Sequence, residues 1–217
     1  MIKIYSLLVI FCLSILLPAA AQKKLTEATI SYDIIINTGK EKTQAADYLD
    51  GATSTVYLKG AKSRTEMISS LGMQATIIDG AKNTIDVLKE YGEQKYLIQM
   101  TPADYKEVNS KYENVAFTLL EDAKTILGYK CKKAIGKLND GTTFVVWYTT
   151  DLVPENKDFQ YANKSLPGLA MEYESVVGNL KVTYTVSKID FSPVPAGKFD
   201  LPRSGYRVMT YQESKGQ

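Results

Sequence analysis

The chain has 217 residues, with 26 Lys and Arg against 24 Asp and Glu, a formal net charge of +2 and no histidine. The missing histidine excludes Ser-His-Asp and Cys-His catalysis, His-based zinc sites and an imidazole pH switch. The near-neutral charge gives no basis for nucleic-acid binding, and a hydrophobic content of 45% fits one globular core.

The N-terminus carries Lys3, an apolar run from Ile4 to Leu17, a break at Pro18 and then Ala19-Ala20-Ala21. Charged start, apolar centre and small-residue cleavage site are the parts of a secretory signal peptide. Residues 1–21 are therefore expected to be removed, leaving a single domain over 22–217 with no stable transmembrane segment. Phe11 before Cys12 does not suit a lipidation site. Cleavage leaves one cysteine, Cys131, which has no internal disulfide partner. It reads as a small buried hydrophobe. The rival reading, a reactive thiol, lacks a histidine base.

From Glu27 the pattern alternates, with Ile30, Tyr32, Ile34 and Ile36 on one side. Period two with β-branched and aromatic residues predicts a half-buried strand. The same pattern predicts strands over Ser54 to Lys59, Gln74 to Asp79, Thr84 to Lys89 and Gln94 to Met100. Thr101-Pro102-Ala103-Asp104 then supplies a cap, a helix-starting proline and a first-turn acid. In the helix that follows, Tyr105, Val108 and Tyr112 share a face. A second helical stretch is expected over Val115 to Ile126. Further strands are expected over Lys130 to Leu138, Thr142 to Thr149, Leu169 to Val177 and Leu180 to Lys188. Tight turns are expected at Lys59-Gly60, Asp79-Gly80, Tyr91-Gly92, Asn139-Asp140-Gly141 and Gly178-Asn179, where Gly or Asn supplies positive φ. Gly39 to Leu49 is irregular, Val153 to Pro167 reads as a flap or rim loop, and Pro193 to Arg207 reads as extended. Consecutive hairpins build a mainly β, antiparallel sheet. About nine strands bend it into a sandwich, a barrel or a deep half-barrel.

Chemistry-bearing motifs are sparse. The chain has no dinucleotide fingerprint, phosphate loop, paired CxxC or EF-hand pattern, so no catalytic residue, cofactor or metal is assigned. Glu172 and Glu174 share a strand face, a spacing common in any acid-containing strand. Lys130, Lys132 and Lys133 have two readings: protection of a sheet edge, or contact with anionic head groups or an acidic partner. Tyr outnumbers Phe 15 to 6, which suits either exposed strand faces or the mouth of a cavity.

Three segments of the second half carry a resemblance. They are Gly128-Tyr129-Lys130-Cys131-Lys132-Lys133-Ala134, then Phe144 to Leu152, then Ser165-Leu166-Pro167-Gly168-Leu169. With Gly197-Lys198-Phe199-Asp200-Leu201-Pro202 and Gly205-Tyr206, their order resembles exported Gram-negative envelope proteins of unknown function, among them the GLPGLI family. Ser165 and Ala170 depart from that motif's first glycine and its isoleucine. The resemblance implies a fold like the LolA/LolB lipoprotein carriers: a half-open barrel with one or two helices at the concave side. It also implies location in the periplasm or at the outer-membrane periphery. On that basis the expected function is non-catalytic carriage of an acyl chain, lipid or lipoprotein-like ligand. Candidate cavity residues are Ile34, Ile36, Val56, Leu58, Ile98, Met100, Val145, Trp147, Leu169 and Met171. Lys130, Lys132 and Lys133 are the head-group or partner candidates. The alternative is an envelope interaction protein that binds a protein partner and has no ligand cavity.

Overall fold

The computed structural model describes residues 22–37, 51–177 and 180–216. The expected signal peptide, the irregular stretch Gly39 to Leu49 and the turn Gly178-Asn179 lie outside the described residues. The strands are β1 (Lys23–Leu25), β2 (Glu27–Asn37), β3 (Thr53–Lys59), β4 (Lys62–Ser69), β5 (Gly72–Asp79), β6 (Thr84–Tyr91) and β7 (Gln94–Met100). After helix α1 (Pro102–Val108) come β8 (Ala116–Ile126), β9 (Tyr129–Lys137), β10 (Thr143–Thr149), β11 (Leu152–Pro154), β12 (Leu169–Val177), β13 (Leu180–Asp190), β14 (Arg207–Thr210) and α2 (Tyr211–Ser214).

Among the described residues, twelve strands form one sheet in the order β14-β7-β6-β5-β4-β3-β2-β13-β12-β10-β9-β8, while β1 and β11 make a small parallel pair. Two meanders thus meet where β13 pairs with β2. The sheet is large, curved and not closed, a half-open form as expected. Chain length explains the curl. In a flat sheet β7 and β8 would lie ten strand spacings apart, or about 48 Å. The link from Met100 to Ala116, with its helical turns, reaches about 40 Å at most, so the edges must bend toward each other.

Alternation decides the faces. Ile30 and Tyr32 stand opposite Val56 and Ser54 on β3, and Tyr32 stands opposite Val186 on β13. The same face continues through Thr76, Ile78, Val87, Ile85, Ile98 and Met100. It is the inner face, because Tyr105 of α1 and Tyr211 of α2 pack on its Ile78, Ile85, Val87, Ile98, Met100 and Met209 cluster. Both helices therefore sit on the side expected for them. The outer face of β5 to β7 carries Ala75, Ile77, Leu88 and Leu97, covered by Leu201 and Tyr206.

Several local expectations are corrected. Val115 to Ile126 is not helical: Ala116–Ile126 is edge strand β8, paired with β9. Its apolar spacing looked helical because the register shifts between Leu119 and Ala123, a bulge that breaks the two-residue period. Leu127 (φ 49°) and Gly128 (φ 81°) form the left-handed turn to β9. Four strands went unread: β1 (Lys23–Leu25), β4 (Lys62–Ser69), β11 (Leu152–Pro154) and β14 (Arg207–Thr210). The Asp79-Gly80 turn is longer than a two-residue hairpin, and its positive φ falls on Asn83 (54°). The sheet is also not wholly antiparallel, because β14 runs parallel to β7. The 193–206 stretch that precedes β14 supplies the crossover a parallel neighbour requires. On its way it is tied down by Lys59 Nζ to the Val194 carbonyl at 3.0 Å and by Lys198 Nζ to the Tyr57 hydroxyl at 3.2 Å.

Val153 to Pro167 is not a flap. It contains β11 and a 3-10 segment, Asp158–Asn163. Leu152 and Leu166 are 1% and 0% exposed. Buried Gln160 donates to the Gly168 carbonyl at 3.2 Å and accepts from the Ala170 amide at 3.3 Å. The segment is a packed plug, because Leu152, Pro154 and Leu166 are buried and Gln160 finds interior partners.

Candidate functional site

A cleft of about 470 Å³ lies on the inner face between β5, β6, β7 and the two helices. Alternation along the strands builds its floor. Thr76 stands opposite Val87, Val87 opposite Ile98, and Met209 of β14 opposite Ile98. Val87, Ile98 and Met100 give an apolar centre, and Gln74 stands opposite Lys89 toward one end. Tyr105, Val108 and Asn109 of the α1 region and Tyr211 and Ser214 of α2 form the remaining wall.

The wall is held by polar contacts. α1 begins with a reciprocal capping box, Thr101 with Asp104. Gln212 of α2 donates to Asp104 at 2.9 Å, and Lys215 pairs with Glu107. On its other side Tyr105 donates to the Asp158 carbonyl at 3.3 Å and meets the Tyr161 ring edge-on at 5.4 Å. Tyr161 in turn donates to Glu113. Lys106 and Lys164 each stand 3.7 Å from Glu113. The Tyr161 hydroxyl, with the two ammonium groups, holds the Glu113 carboxyl below the usual glutamate value. Burial, and then Glu113, pushes Tyr161 up to about 12. A second pocket of about 320 Å³, with more charged residues in its lining, lies beyond Tyr105, bordered in part by Asp79, Glu113, Asp158 and Lys164.

The ten cavity candidates are spread over several places. Ile98 and Met100 line the main cleft. Val56, Leu58, Leu169 and Met171 belong to a closed core cluster and are 3%, 1%, 0% and 0% exposed. Ile34 and Ile36 pack on Ala52 and Val182. Val145 and Trp147 stand opposite Ile135 and Lys133, on the other face of β10 from Phe144 and Val146. There they border a shallow pocket of about 210 Å³ with Glu172 and Glu174. Lys124 lies over the Trp147 ring at 4.5 Å and bonds Glu172 at 2.6 Å. Of the three lysine candidates, Lys133 lies 5.8 Å from the Trp147 ring, while Lys130 and Lys132 are exposed and alternate to the opposite side. They do not guard an edge, because β9 lies between β8 and β10. Val87, Lys89 and Tyr211 were not singled out from the sequence. The period-two pattern of β6 was the available signal for the first two, whereas Tyr211 reaches the cleft only through the β14 crossover.

Residues 61–191, more than half of the chain, match the family described as N-glycanase peptide, N-terminal domain. The chain belongs to this family. No curated protein matches it in sequence. A solved structure of PNGF-II aligns with 88% of this N-glycanase N-terminal-type chain at 13% identity and a TM-score of 0.52. The chain spans about a third (33%) of the length of that protein. An uncharacterised conserved protein from Thermus thermophilus aligns over 86% of this chain and 91% of its own, at 10% identity and a TM-score of 0.50. A β-barrel-like protein of a domain of unknown function from Brucella abortus aligns over 77% of this chain and 98% of its own, at 10% identity and a TM-score of 0.37. At these identities the first two likenesses speak to fold alone. Among the described residues of this N-glycanase N-terminal family member, no helix is long and apolar enough to cross a membrane.

Proposed function

We propose that the chain is a non-catalytic binding domain that carries an acyl chain or similar apolar ligand in the periplasm or at the outer-membrane periphery of a Gram-negative bacterium. One observation carries the reading: the cleft of about 470 Å³ on the inner face, floored by Val87, Ile98 and Met100. Its volume falls within the roughly 300–1,000 Å³ of small-molecule sites. Each buried CH₂ of a ligand adds about 0.8 kcal/mol. The order of segments shared with GLPGLI-type proteins and the leader-like N-terminus supply the location. The LolA/LolB-like analogy supplies the cargo class. The N-glycanase name of the family is a reason to include a glycopeptide among the ligands tested.

A second reading has its own observation. The plug formed by residues 152–168 fills part of the inner face with buried Leu152, Gln160 and Leu166. A half-barrel filled by its own chain suits an envelope interaction protein without a ligand.

The deciding experiment expresses the chain with its own N-terminus in a Gram-negative host and purifies it without detergent. Native mass spectrometry and analysis of an organic extract follow. A stoichiometric lipid adduct supports the carrier reading. A bare chain that also fails to take up an added fluorescent fatty acid removes it and leaves the interaction reading. Val108→Trp, at a residue 49% exposed on the cleft wall, should abolish uptake while leaving the fold intact.

A further inference from the structure

We infer that the main cleft selects a single-chain amphiphile with an anionic head, held by Lys89. This deepens the proposed function and rests on it. The cleft is graded along its strands. Met100 lies at one end, Val87 and Ile98 stand opposite each other in the middle, and Lys89 stands opposite Gln74 at the other. An apolar tail therefore has a floor in one direction and a cation in the other.

The charges around the cleft single out that cation. Among the described residues, Lys89 has no hydrogen bond or ion pair. The acids of the two helices are all engaged: Asp104 by Thr101 and Gln212, Glu107 by Lys215, and Glu213 by Thr210. Glu90 is the sequence neighbour of Lys89, but alternation places it on the outer face, where it pairs with Lys95 and Tyr206. No carboxylate is left over in the cleft lining, whose polar members apart from Lys89 are Gln74, Thr76, Asn109, Ser214 and the two tyrosine hydroxyls. A half-buried ammonium with three donors and no counter-ion favours an anion there. Gln74 stands beside it as a neutral hydrogen-bonding neighbour.

The test uses the full chain and three probes of one tail length: dodecanoate, dodecanol and dodecyltrimethylammonium. Each displaces neutral N-phenylnaphthylamine from the cleft. The expected order is dodecanoate about tenfold tighter than dodecanol, the worth of one charge-assisted hydrogen bond, with the ammonium weakest. Lys89→Gln should erase the preference for dodecanoate over dodecanol, and Lys89→Arg should keep it. Val108→Trp should abolish binding of all three. Equal affinity for dodecanoate and dodecanol, or a preference that survives Lys89→Gln, overturns the role of Lys89 while the carrier reading stands. Binding of none of the three overturns both.

Discussion

At the scale of single residues, burial separates inert groups from poised ones. Cys131 is fully buried, and that burial pushes its thiol up to about 11. A thiolate is the reactive form. Cys131 should therefore resist a thiol reagent in the folded protein and react promptly in denaturant; equal rates in both would contradict its placement in the core. This placement agrees with the sequence reading of a small buried hydrophobe, although the neighbouring Lys130, Lys132 and Lys133 by themselves argue for a low thiol pKa. Trp147 is the chain's one tryptophan. With Lys124 4.5 Å from its ring, it reports on that contact. Lys124→Met should cost about 1 kcal/mol and shift Trp147 emission, measured by fluorescence during denaturant unfolding. Gly168 shows a different constraint. A Cβ there would overlap the Thr149 carbonyl oxygen. Gly168→Ala should destabilise by about 1–3 kcal/mol, as overpacking does.

At the scale of elements, the strands with clean two-residue alternation were legible, and those with interrupted alternation were not. β2, β3, β5, β6, β7, β9 and β10 fall close to where their patterns put them. β8 did not, because its bulge imitates a helical spacing. β4 went unread because Thr65 and Arg64 are both half-buried and its burial barely alternates. Val153 to Pro167 reads as a flap or rim loop because it is polar and carries a proline near each end. Its order comes from Gln160, which satisfies both the Gly168 carbonyl and the Ala170 amide. Gln160→Ala leaves these two buried groups unpaired and should cost about 1–3 kcal/mol. Hydrogen exchange should show faster exchange at Ala170 while β3 and β4 keep their protection. Unchanged exchange at Ala170 would contradict the plug assignment.

At the scale of the molecule, stability should fall at both ends of the pH range. Glu27, Glu90 and Glu113 are held below the ordinary value of 4.5, chiefly by Lys59, Lys95 and Tyr161 respectively. A carboxylate with a lowered folded value stabilises above its unfolded value and loses that contribution as pH falls through the folded one. The acid loss therefore lies below 4.5. Tyr161 and Tyr206 are pushed up to about 12 by burial and by their glutamates. Their folded forms hold protons that the unfolded chain releases near 10, so stability falls between about 10 and 12. Thermal unfolding midpoints followed across pH should show both losses, with Tyr206→Phe reducing the alkaline one by its share among the tyrosines that burial raises. These pairs bridge distant segments: Glu27 reaches the 194 region, Glu90 the 206 region and Glu113 the 161 region. Their loss should therefore loosen the crossover and the plug before the meanders.

The sequence by itself determined the mainly β character, the helix after Thr101 and several hairpin joints, because period, caps and turn residues act over a few neighbours. It also determined the missing histidine chemistry, which needs no fold to read. The tertiary structure alone decided the rest. Two meanders close on one another through β2 and β13, and the far C-terminus returns to the edge beside β7. Those pairings join residues more than a hundred positions apart, a distance over which no local pattern carries information. They also decided the site: the ten apolar candidates look alike in sequence, and only the covering elements sort core from cleft. Val56 and Leu58 lie in the closed core, while Ile98 and Met100 border open space beneath the helices.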